Sequence, residues 1–287
     1  MNKPRCIIIL SPKSSGSSAL QEYIRQHSDA EHIVHTRHSE YETLYWTKAA
    51  SILGLSQQNI KGSEVPIPQT KAKKELIELL KNNIPDYQQP DDDKKLIFEG
   101  WKQLCYHFAP VFLEKSPHHL YQWSALKLIA ECIKKYKKEI DFLVIGLVRN
   151  PMDIIYSSWS RWQTVPEMNE KHIELAFKNL KECRTLFANH YQEFKYEDFI
   201  QKEEILSPVH KFLENENKVP GRNKFFHSKS TNKWKKNKHY GYNLSKSLMN
   251  LARDFGYEDE SLENKNHRNW TFHKIKGLTI KHIKKII

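Results

Sequence analysis

Long apolar runs are missing from this chain. No stretch of its 287 residues approaches the roughly 20 consecutive apolar residues that cross a membrane. The opening MNKPRCIIIL carries an apolar run too short for a secretory signal, with no cleavage site after it. Cysteine is sparse. Cys6, Cys105, Cys132 and Cys183 form no CxxC pair, and none has a histidine at zinc-finger spacing. That excludes a disulfide framework and a finger-type zinc site, and it fits reduced thiols in a cytoplasmic protein. Glycine is scarce too, at nine residues, and no segment matches the nucleotide-triphosphate loop G-x-x-x-x-G-K-[ST]. No acidic cluster of metal-binding character stands out, so no metal is expected.

Negative charge is also in short supply. There are 34 Asp and Glu against 46 Lys and Arg, a formal net charge of +12. Such a surplus attracts anions: nucleic acid, anionic lipid, or a polyanionic cofactor or substrate. The basic residues are spread along the chain rather than gathered in a tail, which argues against nucleic acid as the partner. There is no internal repeat and no clear linker. The expectation is one domain over 1–287, with a basic helical C-terminal segment from about residue 241.

What is present is an alternation of apolar runs with helical patterns. Cys6 to Leu10, Leu96 to Gly100, Val111 to Lys115 and Phe142 to Val148 read as strands, and "EFKYEDF" at 193–199 reads as a strand entering a helix. Helices are predicted over Ser17 to His27, Lys71 to Asn82, His118 to Lys138, Pro151 to Trp162, Glu170 to His190 and 207–216. Residues 217–240 are basic and poor in apolar side chains, and read as a long loop. The pattern predicts an α/β fold: a parallel sheet flanked by helices. Ligands in such sheets bind beyond the carboxyl ends of the strands, so the chemistry should lie just after each strand.

After the first strand comes SPKSSGSSAL. A glycine in a strand-to-helix turn lets successive N–H groups form an anion-binding nest, and the helix that follows adds its positive end. An ordinary serine-rich helix cap would have the same composition. After the most apolar strand comes VRNPMDIIYSSWSRW, from 148 to 162. Asn150 suits an N-cap and Pro151 the first helical position. Arg149 ends the strand where a ligand would sit, with a fork of donors suited to phosphate, and Ser157 follows eight residues later. After the third run comes EKSPHHL, from 114 to 120, whose Glu114, Lys115, His118 and His119 supply groups for proton removal and charge stabilisation.

Together these motifs resemble the sulfotransferases that use 3′-phosphoadenosine-5′-phosphosulfate. In that family a first loop of the form K/R-[ST]-G-[ST]-[ST] holds the 5′-phosphosulfate. Ser14, Ser15, Gly16, Ser17 and Ser18 fall on those positions, with Lys13 one place ahead. A second motif, R-N-P-x-D with a serine eight residues after the arginine, holds the 3′-phosphate. Arg149, Asn150, Pro151, Asp153 and Ser157 match it. Tyr196, Glu197 and Asp198 resemble a further family segment, and "STNKWKKN" at 230–237 loosely resembles the late basic loop that closes over the 3′-phosphate, through Lys233 and Trp234. EKSP resembles the E-K-[ST] stretch of carbohydrate-type members.

The resemblance covers about residues 6–237 and implies a P-loop-like fold, the phosphosulfate donor as co-substrate, and a hydroxyl or amine acceptor of unknown identity, a carbohydrate or small molecule. It implies Glu114 as base, with His118 the alternative. Either Lys13 or Lys115 supplies the cation near the leaving group, since Ser14 stands at the family's basic position. Ala19 replaces a tryptophan that stacks on adenine in small-molecule members, and Trp234 is one candidate substitute. Two other readings of the residues stay open: a P-loop kinase or nucleotide hydrolase, and a non-enzymatic polyanion-binding protein.

Overall fold

Every residue of the run Cys6 to Leu10 is buried, and its side chains divide by parity. Cys6, Ile8 and Leu10 enter one hydrophobic cluster, while Ile7 and Ile9 enter another. Such a run suits a central strand of a sheet covered on both faces. The computed structural model, which describes residues 3–60, 62–214, 226, 230–266, 270–271, 274–275 and 279, bears this out. Strands β1 (Arg5–Leu10), β2 (Ala30–Glu31), β3 (Val111–Lys115), β4 (Asp141–Val148) and β5 (Tyr191–Lys195) form one sheet in the order β2-β3-β1-β4-β5. All four pairings are parallel. The carboxyl ends of β1, β3, β4 and β5 therefore open on a single edge, and the three motifs meet there.

Helices cover both faces. α1 (Ser17–Gln26) follows β1, while α2 (Tyr45–Ile52), α3 (Gln69–Asn83) and α4 (Asp93–His107) lie between β2 and β3 in sequence. α5 (Trp123–Tyr136) leads into β4, and α6 (Pro151–Trp162) and α7 (Pro166–Phe187) lead from β4 to β5. After β5 come α8 (Tyr196–Phe199), α9 (Ser207–Phe212), α10 (Lys233–Lys236), α11 (Lys246–Arg253) and α12 (Asp259–Leu262). Tyr240, Tyr242, Leu248, Ala252, Phe255 and Leu262 join the larger cluster. The C-terminal segment as far as Leu262 is thus packed against the core.

Two expectations fail for identifiable reasons. Leu96 to Gly100 is helix, not strand. Leu96, Ile97, Trp101, Leu104 and Cys105 are buried at helical spacing, and Asp92 caps α4 by accepting from the Lys95 N–H at 2.7 Å. Gly100 lets the helix pack closely, since a Cβ there would lie 2.8 Å from Leu80. The helix expected over His118 to Lys138 is broken. A 3₁₀ turn over Pro117–Tyr121 precedes α5, and Gln122 between them is extended. Its amide pairs twice with the Gln58 backbone, at 2.8 Å each way. Helix α9 ends at Phe212, short of the expected 216, and residues 215–225 and 227–229 lie outside the described residues, so half of the expected late loop falls there.

Candidate functional site

The loop between β1 and α1 bends through two left-handed residues, Ser14 at φ 69° and Gly16 at φ 91°. Gly16 is the N-cap residue of α1, and no side chain caps that helix. The serines are thus not spent on the cap. Ser11 and Ser15 are fully buried, and neither hydroxyl has a partner among the described residues. Gly16 has a second constraint that the sequence did not reveal. A Cβ there would lie 2.4 Å from the Tyr196 ring, which is itself buried. Gly16→Val therefore carries left-handed strain of about 1–2 kcal/mol and a steric cost of about 1–3 kcal/mol. Thermal melts should show a drop of several degrees; melting at the wild-type temperature would contradict this loop geometry.

Arg149 welds the second motif to the first. Its Nη1 donates to the Ser14 carbonyl at 2.9 Å and its Nη2 to the Ser230 carbonyl at 2.7 Å. The guanidinium carbon lies 4.7 Å from the Tyr196 ring centroid, and the buried Nε has no partner. The Tyr196 hydroxyl lies 2.9 Å from the Ser230 Oγ. Asn150 caps α6 through Met152, at 2.9 Å. The Glu197 carboxylate accepts from the Asn150 N–H at 2.9 Å and from the Tyr257 hydroxyl at 2.8 Å, which ties the YED segment to the RNP segment. Asp153 accepts from the Asn232 N–H at 2.8 Å, and burial pushes its carboxyl up to about 7.

A cavity of about 430 Å³ opens at this edge. Of the residues the motifs singled out, Lys13, Ser14, Gly16, Ser17, Ser18, Arg149, Ser157 and His118 line it, together with Ala19. Tyr196, Arg161 and Trp162 line it as well, and so do Glu40, Glu42 and Glu64. Lys13 Nζ lies 5.2 Å over the Trp162 ring, a cation–π contact. The Ser18 hydroxyl donates to the Glu40 carboxylate, whose side chain is 59% exposed.

Other candidates are kept from the cavity. Trp234 is fully buried in the larger core cluster and Lys233 is exposed, and neither lines the cavity. Ser15 sits buried beneath the loop. Glu114 points inward: its Oε1 accepts from Thr43 Oγ1 at 2.7 Å and Ser116 Oγ at 2.6 Å, and it meets His119 Nε2 at 3.2 Å. Burial alone pushes its carboxyl up. The charge of His119 and the hydrogen bonds from His119, Ser116 and Thr43 outweigh that and hold it below the usual range. Lys115 is equally enclosed, with Nζ 3.3 Å from Glu42 Oε1 and 3.2 Å from the Glu40 carbonyl. Glu114 instead fastens the 39–44 segment to the end of β3. Glu114→Gln should lower the melting temperature by weakening hydrogen bonds to a charged group, about 1.5–3 kcal/mol. Nucleotide affinity, read by calorimetry, should stay within a few-fold.

A family profile described as "Sulfotransferase family" matches residues 4–214. The chain belongs to the sulfotransferase family. No curated protein matches the sequence. Among solved structures, this sulfotransferase is similar to a sulfotransferase domain of the Synechococcus PCC 7002 olefin synthase. The identity is 16%, the TM-score 0.50, and the match covers 89% of this chain and 95% of that one. It is also similar to a sulfotransferase domain from the curacin biosynthetic pathway, at 16% identity and TM-score 0.52, covering 90% of this chain and 99% of that one. Both likenesses concern the fold. In the sulfotransferase described here, the described residues hold no group of three or more His, Cys, Asp or Glu side chains arranged for a metal ion. None of its described helices is long and apolar enough to cross a membrane.

The residues present suit a bisphosphorylated nucleotide. Orphaned serine hydroxyls, an orphaned guanidinium N–H and two left-handed backbone turns lie at or beneath the cavity wall. Lys13, Arg149 and Arg161 add positive charge. The Glu40 carboxylate on Ser18 is a competing anion, but an exposed one that can exchange the hydroxyl for water at little cost. Sequence reasoning missed Glu40, Glu42 and Glu64, because no motif or spacing marks them.

Proposed function

We propose that the protein transfers a sulfuryl group from 3′-phosphoadenosine-5′-phosphosulfate to a hydroxyl or amine of an acceptor, a carbohydrate or small molecule. The observation that carries this reading is the bond from Arg149 to the Ser14 carbonyl, which unites the two anion-binding motifs on one cavity. The loop from Ser14 to Ser18 would hold the 5′-phosphosulfate through backbone N–H groups and hydroxyls. Arg149 and Ser157 would hold the 3′-phosphate. When bound, the cofactor supplies an activated sulfuryl group on a good leaving group.

The chain's own residues do the rest. His118 lines the cavity, so it is assigned the acceptor's proton in place of the walled-in Glu114. Lys13 offsets charge gathering on the leaving group, because Lys115 is committed to Glu42. The exposed Trp162 is the available aromatic at the rim, where Trp234 cannot serve. The four unpaired, buried cysteines support a reducing, cytoplasmic setting. The positive charge is assigned to the nucleotide rather than to nucleic acid.

Melting shifts test the reading. Adenosine 3′,5′-bisphosphate should raise the melting temperature, and ATP with magnesium should raise it much less. The reverse order would turn the assignment toward a kinase or nucleotide hydrolase.

A further inference from the structure

His118 does not face the cavity unaided. Its ring is buried, with only 5% exposure, and its Nδ1 lies 3.4 Å from Glu42 Oε2. The other oxygen of the same carboxylate lies 3.3 Å from Lys115 Nζ. Lys115 is fully buried and is also held by the Glu40 carbonyl at 3.2 Å and the Glu40 carboxylate at 3.5 Å. The His118 and Tyr121 rings meet in a T-shaped arrangement, centroid to centroid 5.9 Å. Lys115, Glu42 and His118 thus form a line that runs from the buried end of β3 to the cavity wall.

The backbone of Glu42 is held as firmly as its side chain. Its carbonyl accepts from Thr36 Oγ1 at 2.6 Å. The next two residues, Thr43 and Leu44, donate their N–H groups to Ser116 Oγ at 3.0 and 3.1 Å. The Thr43 hydroxyl donates to Glu114. Burial pushes the Glu42 carboxyl up, but the hydrogen bond from His118 and the charges of Lys115 and His118 outweigh it and hold it below the usual carboxylate range. The carboxylate is therefore an anion with one oxygen held by Lys115 at 3.3 Å and the other 3.4 Å from an imidazole Nδ1 that is buried and makes no hydrogen bond to any other described group.

We infer that Glu42 is a positioning residue for His118: its carboxylate, pinned by Lys115, keeps the imidazole proton on Nδ1 and leaves Nε2 as the basic nitrogen of a ring that lines the cavity. A carboxylate accepts and does not donate, so when the 3.4 Å gap to Glu42 closes to a hydrogen bond, Nδ1 is the atom that carries the hydrogen. That fixes both tautomer and ring orientation, the role a buried carboxylate plays beside a catalytic histidine elsewhere. The inference rests on His118 as proton acceptor, and it accounts for the buried lysine as well. Lys115 serves the base through Glu42 rather than the leaving group directly.

The test is nitrogen NMR of histidine-labelled protein with adenosine 3′,5′-bisphosphate present, at a pH where the imidazole is neutral. The His118 signal is assigned by its loss in His118→Gln. Wild type should show the Nδ1–H tautomer. Glu42→Leu should move it to the Nε2–H form that an unconstrained imidazole prefers. Glu42→Leu leaves Lys115 buried without its partner, so the double variant Glu42→Leu with Lys115→Met removes both charges and should show the same tautomer change in a folded protein. In parallel, enzyme-dependent release of labelled sulfate from the donor, with water as acceptor, should fall by roughly 10²-fold or more in both variants. Affinity for the bisphosphate should stay within about threefold, as expected when only groups outside the nucleotide motifs change. A wild-type ring protonated on Nε2, or an Nδ1–H signal unchanged in both variants, overturns the inference. Bisphosphate affinity of wild type, measured on the same samples, tests the cofactor reading separately.

Discussion

His118→Gln is expected to bind adenosine 3′,5′-bisphosphate as wild type does and to lose turnover by roughly 10²–10⁴-fold, the range for removing a general base. The substitution keeps a side chain of similar reach beside Glu42, so the cavity wall should stay in place. In the proposed reading nucleotide affinity comes from other groups: the Ser14 to Ser18 loop and Arg149 follow β1 and β4, while His118 follows β3. The readouts are calorimetric affinity and transfer of labelled sulfate to an acceptor found by screening hydroxyl and amine compounds. A variant that binds poorly would make His118 part of the nucleotide site. One that turns over normally would move the base elsewhere.

Arg149→Ala should cost the most in binding. The guanidinium makes two hydrogen bonds to backbone carbonyls and stacks on Tyr196, and its Nε is left over for a further acceptor. Each charge-assisted contact to a phosphate is worth about 1.5–3 kcal/mol, and every 1.4 kcal/mol is about tenfold. Affinity for adenosine 3′,5′-bisphosphate should fall by about 10–100-fold or more. Adenosine 5′-phosphate lacks the phosphate that Arg149 would grip, yet it too should weaken by a few-fold, because the arginine braces the Ser14 carbonyl. Arg149→Lys should not rescue binding, since a single ammonium cannot span the Ser14 and Ser230 carbonyls as a planar fork does. Equal losses for the two nucleotides would remove Arg149 from the 3′-phosphate and leave it a brace.

The sequence carried those parts of the structure whose causes are local. The run Cys6 to Leu10, with three successive β-branched isoleucines, favours a buried strand, and Asn150-Pro151 favours a helix start, because strand propensity and capping act within a few residues. Leu96 to Gly100 misled because five residues are too few to display a helical period; the pattern closes only at Cys105. The break at Gln122 was hidden because its cause is Gln58, 64 residues away. The site divides in the same way. The residues that the first two motifs place on the cavity sit in contiguous stretches, so their neighbourhood was legible. Glu42 reaches the site across the end of β3, 73 residues from Lys115 in sequence, so no spacing announces it. Glu114 and Lys115 looked available because they follow an apolar run, but the 39–44 segment closes over both. Trp234 looked like a stacking platform and is instead a core residue.

The central claim is that this cavity moves a sulfuryl group. The direct measurement follows sulfur-labelled 3′-phosphoadenosine-5′-phosphosulfate through a reaction with a mixed panel of hydroxyl and amine acceptors. Label should leave the donor only when enzyme is present, should appear on an acceptor, and should do so in step with formation of adenosine 3′,5′-bisphosphate. Label that stays on the donor across the panel, while γ-labelled ATP gives up its phosphoryl group in the same cavity, would contradict the account.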